Sequence, residues 1–292
     1  MKRRNVKKIG FVDYYLSEWH ANNYPAWIGE ACQRLGLDYK VAYGWAEEYL
    51  SPVYGKNTDE WCAEFGVERC ETLAELCEKS DVIVILAPSD PNKHLGYAEE
   101  VLKYGKRTYI DKTFAPDLAT AKKIFALSQQ YGTPFFSSSA LRYATELDRY
   151  EGCTQMITMG SGSNLAEYVI HQIEMIVKKL GYGAERICAE RFGEQTYLHI
   201  AYGDDRTATM IFAPSLPFAV YMANGESKGE SPVYTQVTSP FFEGLIADML
   251  RFFETGEPSF DGRETLEIMK IREGAILARE SLGEWIDLTK LG

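Results

Sequence analysis

The segment from residue 81 to residue 116 constrains the fold of this chain more than any other. It begins with DVIVILAP, a continuous apolar run ending in proline, which is typical of a strand buried on both faces of a parallel sheet. Helical spacing of apolar residues follows over residues 94–103, and Gly105 predicts the end of that helix. The next short strand, RTYI, is followed at once by Asp111 and Lys112. Because ligands of open α/β sheets bind at the carboxyl ends of the strands, Lys112 is a candidate for chemistry.

Strand and helix patterns alternate from the start of the chain to about residue 140. This alternation predicts an α/β fold, with a Rossmann-like doubly wound parallel sheet in an N-terminal domain of residues 1–141. The predicted strands are residues 7–12, 38–43, 81–88, 107–110 and 133–139, and the predicted helices are residues 25–35, 72–80, 94–103 and 117–131.

The pattern changes after residue 141. One helical segment is followed by a series of strand-like runs and then by two closing helices, which predicts an α+β domain over residues 142–292 with a mainly antiparallel, open-faced sheet. The predicted helices are residues 164–180, 241–254 and 263–282, and the strands are residues 185–192, 196–202, 207–213 and 218–225. The second face of such a sheet needs a cover, and Phe192, Tyr197, His199 and Tyr221 could form a contact between subunits. We therefore expect a homo-oligomer formed through this sheet.

Charge and cysteine usage exclude several classes of protein. A net charge of -11 and a pI near 5.0 argue against a nucleic-acid partner or an anionic membrane. The basic start MKRRNVKK precedes no long apolar segment, so we expect neither signal peptide nor anchor, and a cytoplasmic protein. The six cysteines form no C-x-x-C pair, which argues against a zinc site or a disulfide framework. We expect no bound metal.

Four motifs occur in order along the chain. APSDPNKH contains Ala87, Pro88 and His94 between the buried strand and the next helix, and GKRTYIDKTFA contains Asp111 and Lys112. The other two motifs are the pair Arg142-Tyr143 and the glycine-led helical segment GSGSNLAEYVIHQIEMIVKKLG, which contains Glu167 and His171.

Together these motifs resemble the Gfo/Idh/MocA family of nicotinamide-dependent sugar and cyclitol dehydrogenases, and the resemblance covers nearly the whole chain. Asp111-Lys112 stands where the family has Glu-Lys, and Arg142-Tyr143 is similar to its Arg-Phe. Glu167 replaces the aspartate of the family's Asp-x-x-x-His helix, and His171 is retained.

The first turn departs from the family pattern. The family has G-x-G-x-x-G there, followed by a histidine, and alignment on His20 puts Val12, Tyr14 and Ser17 at the three glycine positions. Those glycines let the backbone approach a pyrophosphate and let the helix pack closely. Gly44-Trp45 stands where an acidic residue usually holds the ribose hydroxyls, and Glu47 follows slightly later.

The resemblance implies a role for each matched residue. It implies that His171 is the base that takes the hydroxyl proton, that Lys112 binds the reacting oxygen, and that Glu167 holds substrate hydroxyls or orients His171. It also implies NAD or NADP as cofactor and a polyol as substrate, with Arg142 and Tyr143 as substrate contacts. The cofactor-binding positions implied are Val12, Asp13, Tyr14, Ala87, Pro88, Ser89, His94 and Asp111.

Simpler interpretations of these residues stay open. Glu167, His171, Glu174 and Lys178 also fall on one polar helix face opposite an apolar stripe, so Glu167 and His171 could be an ordinary surface pair. The aromatic residues near the first turn could line a sugar-binding cleft or simply pack in the core.

Three functions are compatible with the sequence. The first is an NAD(P)-dependent dehydrogenase of a sugar, cyclitol or related polyol, which the retained Lys112 and His171 favour. The second is a non-catalytic sugar- or nucleotide-binding or regulatory protein on the same fold, favoured by the loss of all three glycines. The third is a lyase or hydrolase whose tightly held cofactor is oxidised and reduced within one cycle.

Overall fold

The computed structural model describes residues 6–88, 90–225 and 231–291, which divide into two compact units. Unit 1 comprises Met1–Pro116, Thr120–Ser138 and Leu245–Ser259, and unit 2 comprises Asp117–Ala119, Ser139–Gly244 and Phe260–Gly292. The division into domains at residue 141 stays a prediction. The two units differ from it in three places: Asp117–Ala119 and residues 139–141 belong to unit 2, and Leu245–Ser259 belongs to unit 1.

Unit 1 is built on a six-stranded, all-parallel sheet, which confirms the predicted Rossmann-like fold. Its strands are β1 (Lys7–Asp13), β2 (Tyr39–Ala46), β3 (Glu68–Arg69), β4 (Val82–Ile85), β5 (Thr108–Ile110) and β6 (Phe135–Phe136), in the spatial order β3-β2-β1-β4-β5-β6. Strand β1 pairs with both β2 and β4, and the chain therefore reverses direction across the sheet at the ends of β1 and β4. The crevice at such a reversal is where α/β sheets bind ligands.

Five helices connect these strands. They are α1 (Trp19–Leu35), α2 (Thr58–Phe65), α3 (Leu73–Lys79), α4 (Lys93–Val101) and α5 (Leu118–Tyr131). Helix α1 begins at Trp19, before the predicted start at residue 25, because the side chain of Glu18 caps its first turn. Gly36 ends this helix with a φ of 66°, as predicted. Helix α2 and strand β3 were not predicted.

The core of unit 1 lies on both faces of its sheet. Every residue of β4 is buried, as its apolar run predicts. Helix α3 packs very closely on β1 at Gly10, where an added Cβ atom would lie 2.3 Å from the Ser80 Oγ atom and 2.6 Å from Leu76. Any larger residue at position 10 would therefore separate the helix from the sheet.

Unit 2 contains a seven-stranded, mainly antiparallel sheet, which confirms the predicted fold class. Its strands are β7 (Gln155–Gly160), β8 (Ala184–Phe192), β9 (Gln195–Tyr202), β10 (Thr207–Phe212), β11 (Ala219–Ala223), β12 (Val233–Gln236) and β13 (Trp285–Asp287). The spatial order is β12-β11-β7-β10-β9-β8-β13, and β7 and β10 form its one parallel pair among the described strands. Strands β7, β12 and β13 were not predicted.

The remaining helices are α6 (Leu165–Leu180), α7 (Phe241–Thr255) and α8 (Gly262–Glu280). Helix α6 is joined to the sheet of unit 2 by Gln172, which accepts a hydrogen bond from Thr158 (2.9 Å) and donates one to the carbonyl of Ile211 (3.3 Å). The part of α7 that belongs to unit 1 packs Phe252 against Phe136 there. In the described ranges of the chain, none of the helices is both long and apolar enough to cross a lipid bilayer.

Candidate functional site

The carboxyl edge of the unit 1 sheet brings together the predicted cofactor-binding residues that the structure describes. Val12 pairs with Ile85 across β1 and β4, and Ile85 pairs with Ile110 across β4 and β5. The residues after these paired positions are therefore neighbours, and they include Asp13, the last residue of β1, and Asp111, which follows β5. Val12 itself is fully buried within the sheet.

Asp13 is the central acidic group of this edge. Its Oδ1 atom accepts hydrogen bonds from the backbone N–H groups of Tyr14 (2.7 Å) and Ala87 (2.9 Å). Ala87 has a φ of 59°, in the left-handed region, at the turn where its N–H meets Asp13. Burial raises the pKa of Asp13 well above its usual value, and the nearby carboxylate of Glu18 raises it further. The two backbone hydrogen bonds only partly offset these effects.

Glu18 occupies the N-terminus of α1. Its carboxylate accepts hydrogen bonds from the backbone N–H of His20 (2.8 Å) and from that of Ala21. A carboxylate at this position is stabilised by the otherwise unpaired N–H groups and by the helix dipole. The chain thus supplies its own anion to the start of the helix.

Asp111 is held by residues from several elements. Its Oδ1 atom accepts hydrogen bonds from the hydroxyls of Tyr109 (3.0 Å) and Tyr24 (3.4 Å), and its Oδ2 atom lies 3.6 Å from Nδ1 of His20. The same His20 nitrogen lies 3.3 Å from Glu18. Burial raises the pKa of Tyr24 well above its usual value, so its hydroxyl stays protonated and donates to Asp111.

His94 serves the fold of this edge. Its side chain is fully buried, with Nδ1 3.0 Å from the carbonyl oxygen of Phe114 and Nε2 against the carbonyl oxygen of Leu86. Burial lowers the pKa of His94, and the neutral ring that this favours can donate to only one of the two carbonyls. His94 therefore links the end of β4 to the segment after β5.

Lys112 follows Asp111 and is half-buried, and its peptide bond to Thr113 is cis. Pro88 lines a cavity at this edge together with Asp13 and Ala87. Ser89, the remaining predicted cofactor-binding residue, lies outside the described residues.

The acidic residue near the end of β2 is already engaged. The two carboxylate oxygens of Glu47 contact Nζ of Lys93 (2.6 Å) and accept a hydrogen bond from the Tyr97 hydroxyl (2.7 Å). The hydrogen bonds from Lys93 and Tyr97 lower the pKa of Glu47.

The first turn of unit 1 does not fit a pyrophosphate. A bound pyrophosphate needs unpaired backbone N–H groups at the start of the helix and a close approach to the turn. The N–H groups of His20 and Ala21 both donate to Glu18, and those of Tyr14 and Ala87 donate to Asp13. The Asp13 carboxyl group and the Glu18 carboxylate therefore stand where the family pattern places an anion, and the charge on Glu18 would repel it.

In unit 2, His171 is held by a residue that the sequence did not indicate. Ser139 Oγ lies 2.7 Å from Nδ1 of His171, and it also accepts a hydrogen bond from the backbone N–H of Leu141 (3.3 Å). The His171 ring also lies next to Tyr168 and Phe218, with ring centroids 6.0 Å away in each case. These contacts fix the orientation of the imidazole.

Glu167 has a different position from the one expected for an orienting residue. Its backbone N–H donates to Asn164 Oδ1 (2.8 Å), and its carboxylate accepts from Asn164 Nδ2 (3.0 Å). Glu167 thus belongs to the N-terminal cap of α6, and its roles toward substrate and His171 stay predictions.

Arg142 is buried and paired with two carboxylates. It donates to Glu174 (2.9 Å) and to Glu264, and its guanidinium lies 3.7 Å from the centre of the Phe260 ring. Burial opposes the charge, but these carboxylates raise the pKa of Arg142 above its usual value. The positive charge of Arg142, which was predicted to contact the substrate, is therefore paired with two carboxylates of the protein. Tyr143 packs against Gly244. A Cβ atom added to Gly244 would lie 2.5 Å from the Cβ atom of Tyr143.

The helical-wheel interpretation was wrong for Glu174. It placed this residue on an exposed polar face, whereas Glu174 is buried, accepts a hydrogen bond from the Ser139 backbone N–H (3.2 Å) and pairs with Arg142. In the part of the chain that the structure describes, no group of three or more histidine, cysteine or acidic residues is arranged to hold a metal ion.

Comparison of sequences gives little direct guidance. No family model matches the chain. A segment of 66 residues, 22% of this chain, is 35% identical to the uncharacterized oxidoreductase YhhX of Escherichia coli (strain K12). That segment spans only 19% of the length of this relative.

Comparison of structures is more informative. A probable dehydrogenase from Thermotoga maritima superposes with a TM-score of 0.77 at 12% identity, over 98% of this chain and 100% of that one. Scyllo-inositol dehydrogenase from Lactobacillus casei, with bound NAD(H) and scyllo-inositol, gives 0.75 at 15% identity, with 98% and 100% covered. An oxidoreductase from Agrobacterium radiobacter in complex with NAD+, L-tartaric acid and magnesium gives 0.75 at 14% identity, with 98% and 99% covered.

These similarities confirm the predicted resemblance at the level of the fold. The chain has the fold of Gfo/Idh/MocA-type dehydrogenases along nearly its whole length. At identities of 12–15% the agreement concerns the fold, and the chemistry of this chain must be argued from its own residues.

Proposed function

We propose that this protein is an oxidoreductase that acts on a secondary hydroxyl of a sugar, a cyclitol or a related polyol. The observation that carries the proposal is the orientation of His171 by Ser139 at Nδ1, because a base must be held in one orientation to take a proton. Similar structures with bound scyllo-inositol or tartaric acid support a small hydroxylated substrate.

In this proposal His171 takes the hydroxyl proton, which an imidazole can do near neutral pH. Lys112, at the carboxyl edge of the unit 1 sheet, supplies a positive charge that stabilises the substrate oxygen as the proton leaves. Glu167 binds substrate hydroxyls, and Tyr143 also contacts the substrate. Arg142 positions Glu174 and the segment that contains Ser139.

The cofactor class implied by the resemblance is NAD or NADP, and similar structures contain NAD(H) or NAD+. Because the first turn does not fit a pyrophosphate, we assign no residue of this chain to pyrophosphate binding. We also propose no preference between NAD and NADP. The proposal is tested by incubating purified protein with either dinucleotide and a panel of inositols, sugars and hydroxy acids. Absence of any polyol-dependent redox change, with these or with artificial acceptors, would refute it.

Removing the charge at the helix start should improve dinucleotide binding. We expect Glu18→Ser to bind NADH and NADPH at least about tenfold more tightly than the original chain, since serine caps a helix without a carboxylate. Titration followed by nicotinamide fluorescence measures this. Glu30→Gln, which makes the same charge change on the exposed side of α1, is the control and should leave affinity unchanged. Equal affinity of Glu18→Ser and the original chain would contradict the repulsion.

A second candidate function is recognition without turnover, in sugar or nucleotide binding or regulation. The capture of four backbone N–H groups by Asp13 and Glu18 favours it, because the turn is then adapted to something other than a dinucleotide. Polyol binding by calorimetry with no redox change under any condition would distinguish it from the first candidate.

We also propose that the chain forms a homo-oligomer through the outer face of the unit 2 sheet. Tyr221 pairs with Ile157, Ile157 with Thr209, and Thr209 with His199, so these side chains form one row on one face. Ile157 is 38% exposed, and the other three are at least partly exposed.

A charge in this row should separate the subunits. We expect the original chain to be at least a dimer by size-exclusion chromatography with light scattering, and Ile157→Asp to be monomeric, because an unpaired buried charge opposes association. Leu282→Asp changes an exposed apolar residue outside the strands and should not alter the mass. A monomeric original chain would refute the proposal.

A further inference from the structure

A cavity of about 220 Å³ opens at the first turn of unit 1. Its polar groups are acidic and its other walls are aromatic or apolar. The lining residues are Asp13, Tyr14, Tyr15, Glu18, Pro52, Ala87, Pro88 and Asp90. Neither the proposed substrate chemistry nor a pyrophosphate accounts for this combination.

Asp13 is incompletely satisfied. The side chain is 1% exposed, and both of its hydrogen bonds end on Oδ1. Its Oδ2 atom is buried and has no hydrogen-bond partner within the described ranges. A buried carboxylate oxygen without a partner costs free energy that a suitable donor on a ligand would recover.

The basic groups next to the acidic lining of the cavity are His20, whose Nδ1 atom lies 3.3 Å from Glu18, and Lys93, whose ammonium lies over the Tyr14 ring. Among the described residues, no lysine or arginine forms an ion pair with Asp13, Glu18 or Asp90. The nearest described lysine contact is that of Lys93, whose ammonium pairs with Glu47. With three acidic residues and no lysine or arginine in its lining, the cavity favours a cation over a phosphate.

The aromatic walls suit a cation with an organic body. The rings of Tyr14 and Tyr15 have centroids 5.4 Å apart and are inclined by 50°. Nζ of Lys93 lies 4.3 Å from the centre of the Tyr14 ring, so one ammonium of the chain already uses this ring as a cation–π partner. Tyrosine faces next to carboxylates are the surroundings in which proteins bind ammonium groups.

We propose that this cavity binds a small organic ammonium ion, with the ammonium near Asp13 and Glu18 and its carbon body against Tyr14 and Tyr15. The site is independent of the redox function, and it stands if the protein proves to have no turnover. If a dinucleotide does bind at this edge, the amine should compete with it. Burial raises the pKa of Asp13, and an adjacent ammonium would stabilise its ionised form.

The test uses isothermal calorimetry on the full chain with two matched pairs of probes. Ethanolamine is compared with its neutral analogue ethylene glycol, and glucosamine with glucose, each up to about 10 mM, which detects millimolar affinity. We expect saturable binding of at least one ammonium probe and at least about tenfold weaker binding of its neutral partner. Equal binding within both pairs, or no binding of either ammonium, overturns the proposal.

Variants locate the site. Glu18→Gln keeps a hydrogen-bonding side chain at the helix start, and Tyr14→Leu removes an aromatic face; each should weaken binding of the ammonium probe at least about tenfold. Glu30→Gln should bind it as the original chain does. Thermal unfolding checks that each variant is folded, and Tyr14→Leu, which changes no charge, serves if Glu18→Gln is unstable. Unchanged affinity in both folded variants would overturn the proposal, as would an equal loss in Glu30→Gln.

Discussion

Lys112→Ala and His171→Ala should each lower kcat for polyol oxidation by about 10²–10⁴-fold. His171 is the proposed base, and its loss removes the group that accepts the proton in the transition state. Lys112 is the proposed positive charge at the reacting oxygen, and its loss removes electrostatic stabilisation that develops as the proton leaves. Steady-state kinetics on the best substrate of the polyol panel measures both effects.

Two controls separate a catalytic effect from a general loss of charge or packing. Lys123→Ala removes an exposed lysine from α5, and Glu185→Ala removes an exposed side chain from the sheet of unit 2. Both should retain kcat within a few-fold. If Lys112→Ala and His171→Ala behave like these controls, the proton chemistry is carried by other residues and the assigned roles are wrong.

Long, strongly patterned elements could be predicted from the sequence. The buried run of β4 identified the parallel sheet, and the glycine after α1 identified the end of that helix. Strand β3 and helix α2 are too short for periodicity to be decisive, since they contain two and eight residues. Strand β7 was not predicted because its residues do not alternate regularly between polar and apolar. Only its pairing with β10 and β11 identifies it as a strand.

The residues of the candidate site also divide into those that could be predicted from the sequence and those that could not. The position of Lys112 could be predicted, because a residue after a buried parallel strand must lie at the carboxyl edge. The roles of Glu18 and Ser139 could not. Glutamate is not a preferred N-cap residue, so its sequence position gave no sign that it would start α1. Ser139 lies in a run of three serines, and only the fold brings it to His171.

The first turn shows why the loss of a motif is informative only together with the structure. The absence of the three glycines could mean that the turn has simply lost its ability to bind a pyrophosphate. Instead, Asp13 and Glu18 hold the N–H groups of the turn and of the helix start, and the cavity beside them is acidic. Two acidic side chains at the place of an anion support the proposal that this turn has changed its ligand preference.

Arg142→Met should destabilise unit 2 by about 3–5 kcal/mol. The substitution leaves Glu174 buried without its counter-charge, and a carboxylate in that position is far more costly than a lost surface pair. Chemical denaturation with urea, followed by tryptophan fluorescence and circular dichroism, measures the change in free energy of unfolding.

Arg263→Met is the matched control, because Arg263 pairs with Asp261 on the surface and its loss should cost less than about 1 kcal/mol. In the double variant Arg142→Met with Glu174→Leu, most of the stability should return, since an apolar pair can replace a buried ion pair at little cost. A loss in Arg142→Met no greater than that in Arg263→Met would show that Glu174 has other means of satisfying its charge. Any stability that the double variant does not recover is expected to come from Glu264, which still lacks its Arg142 partner, and from the lost hydrogen bond between Ser139 and Glu174.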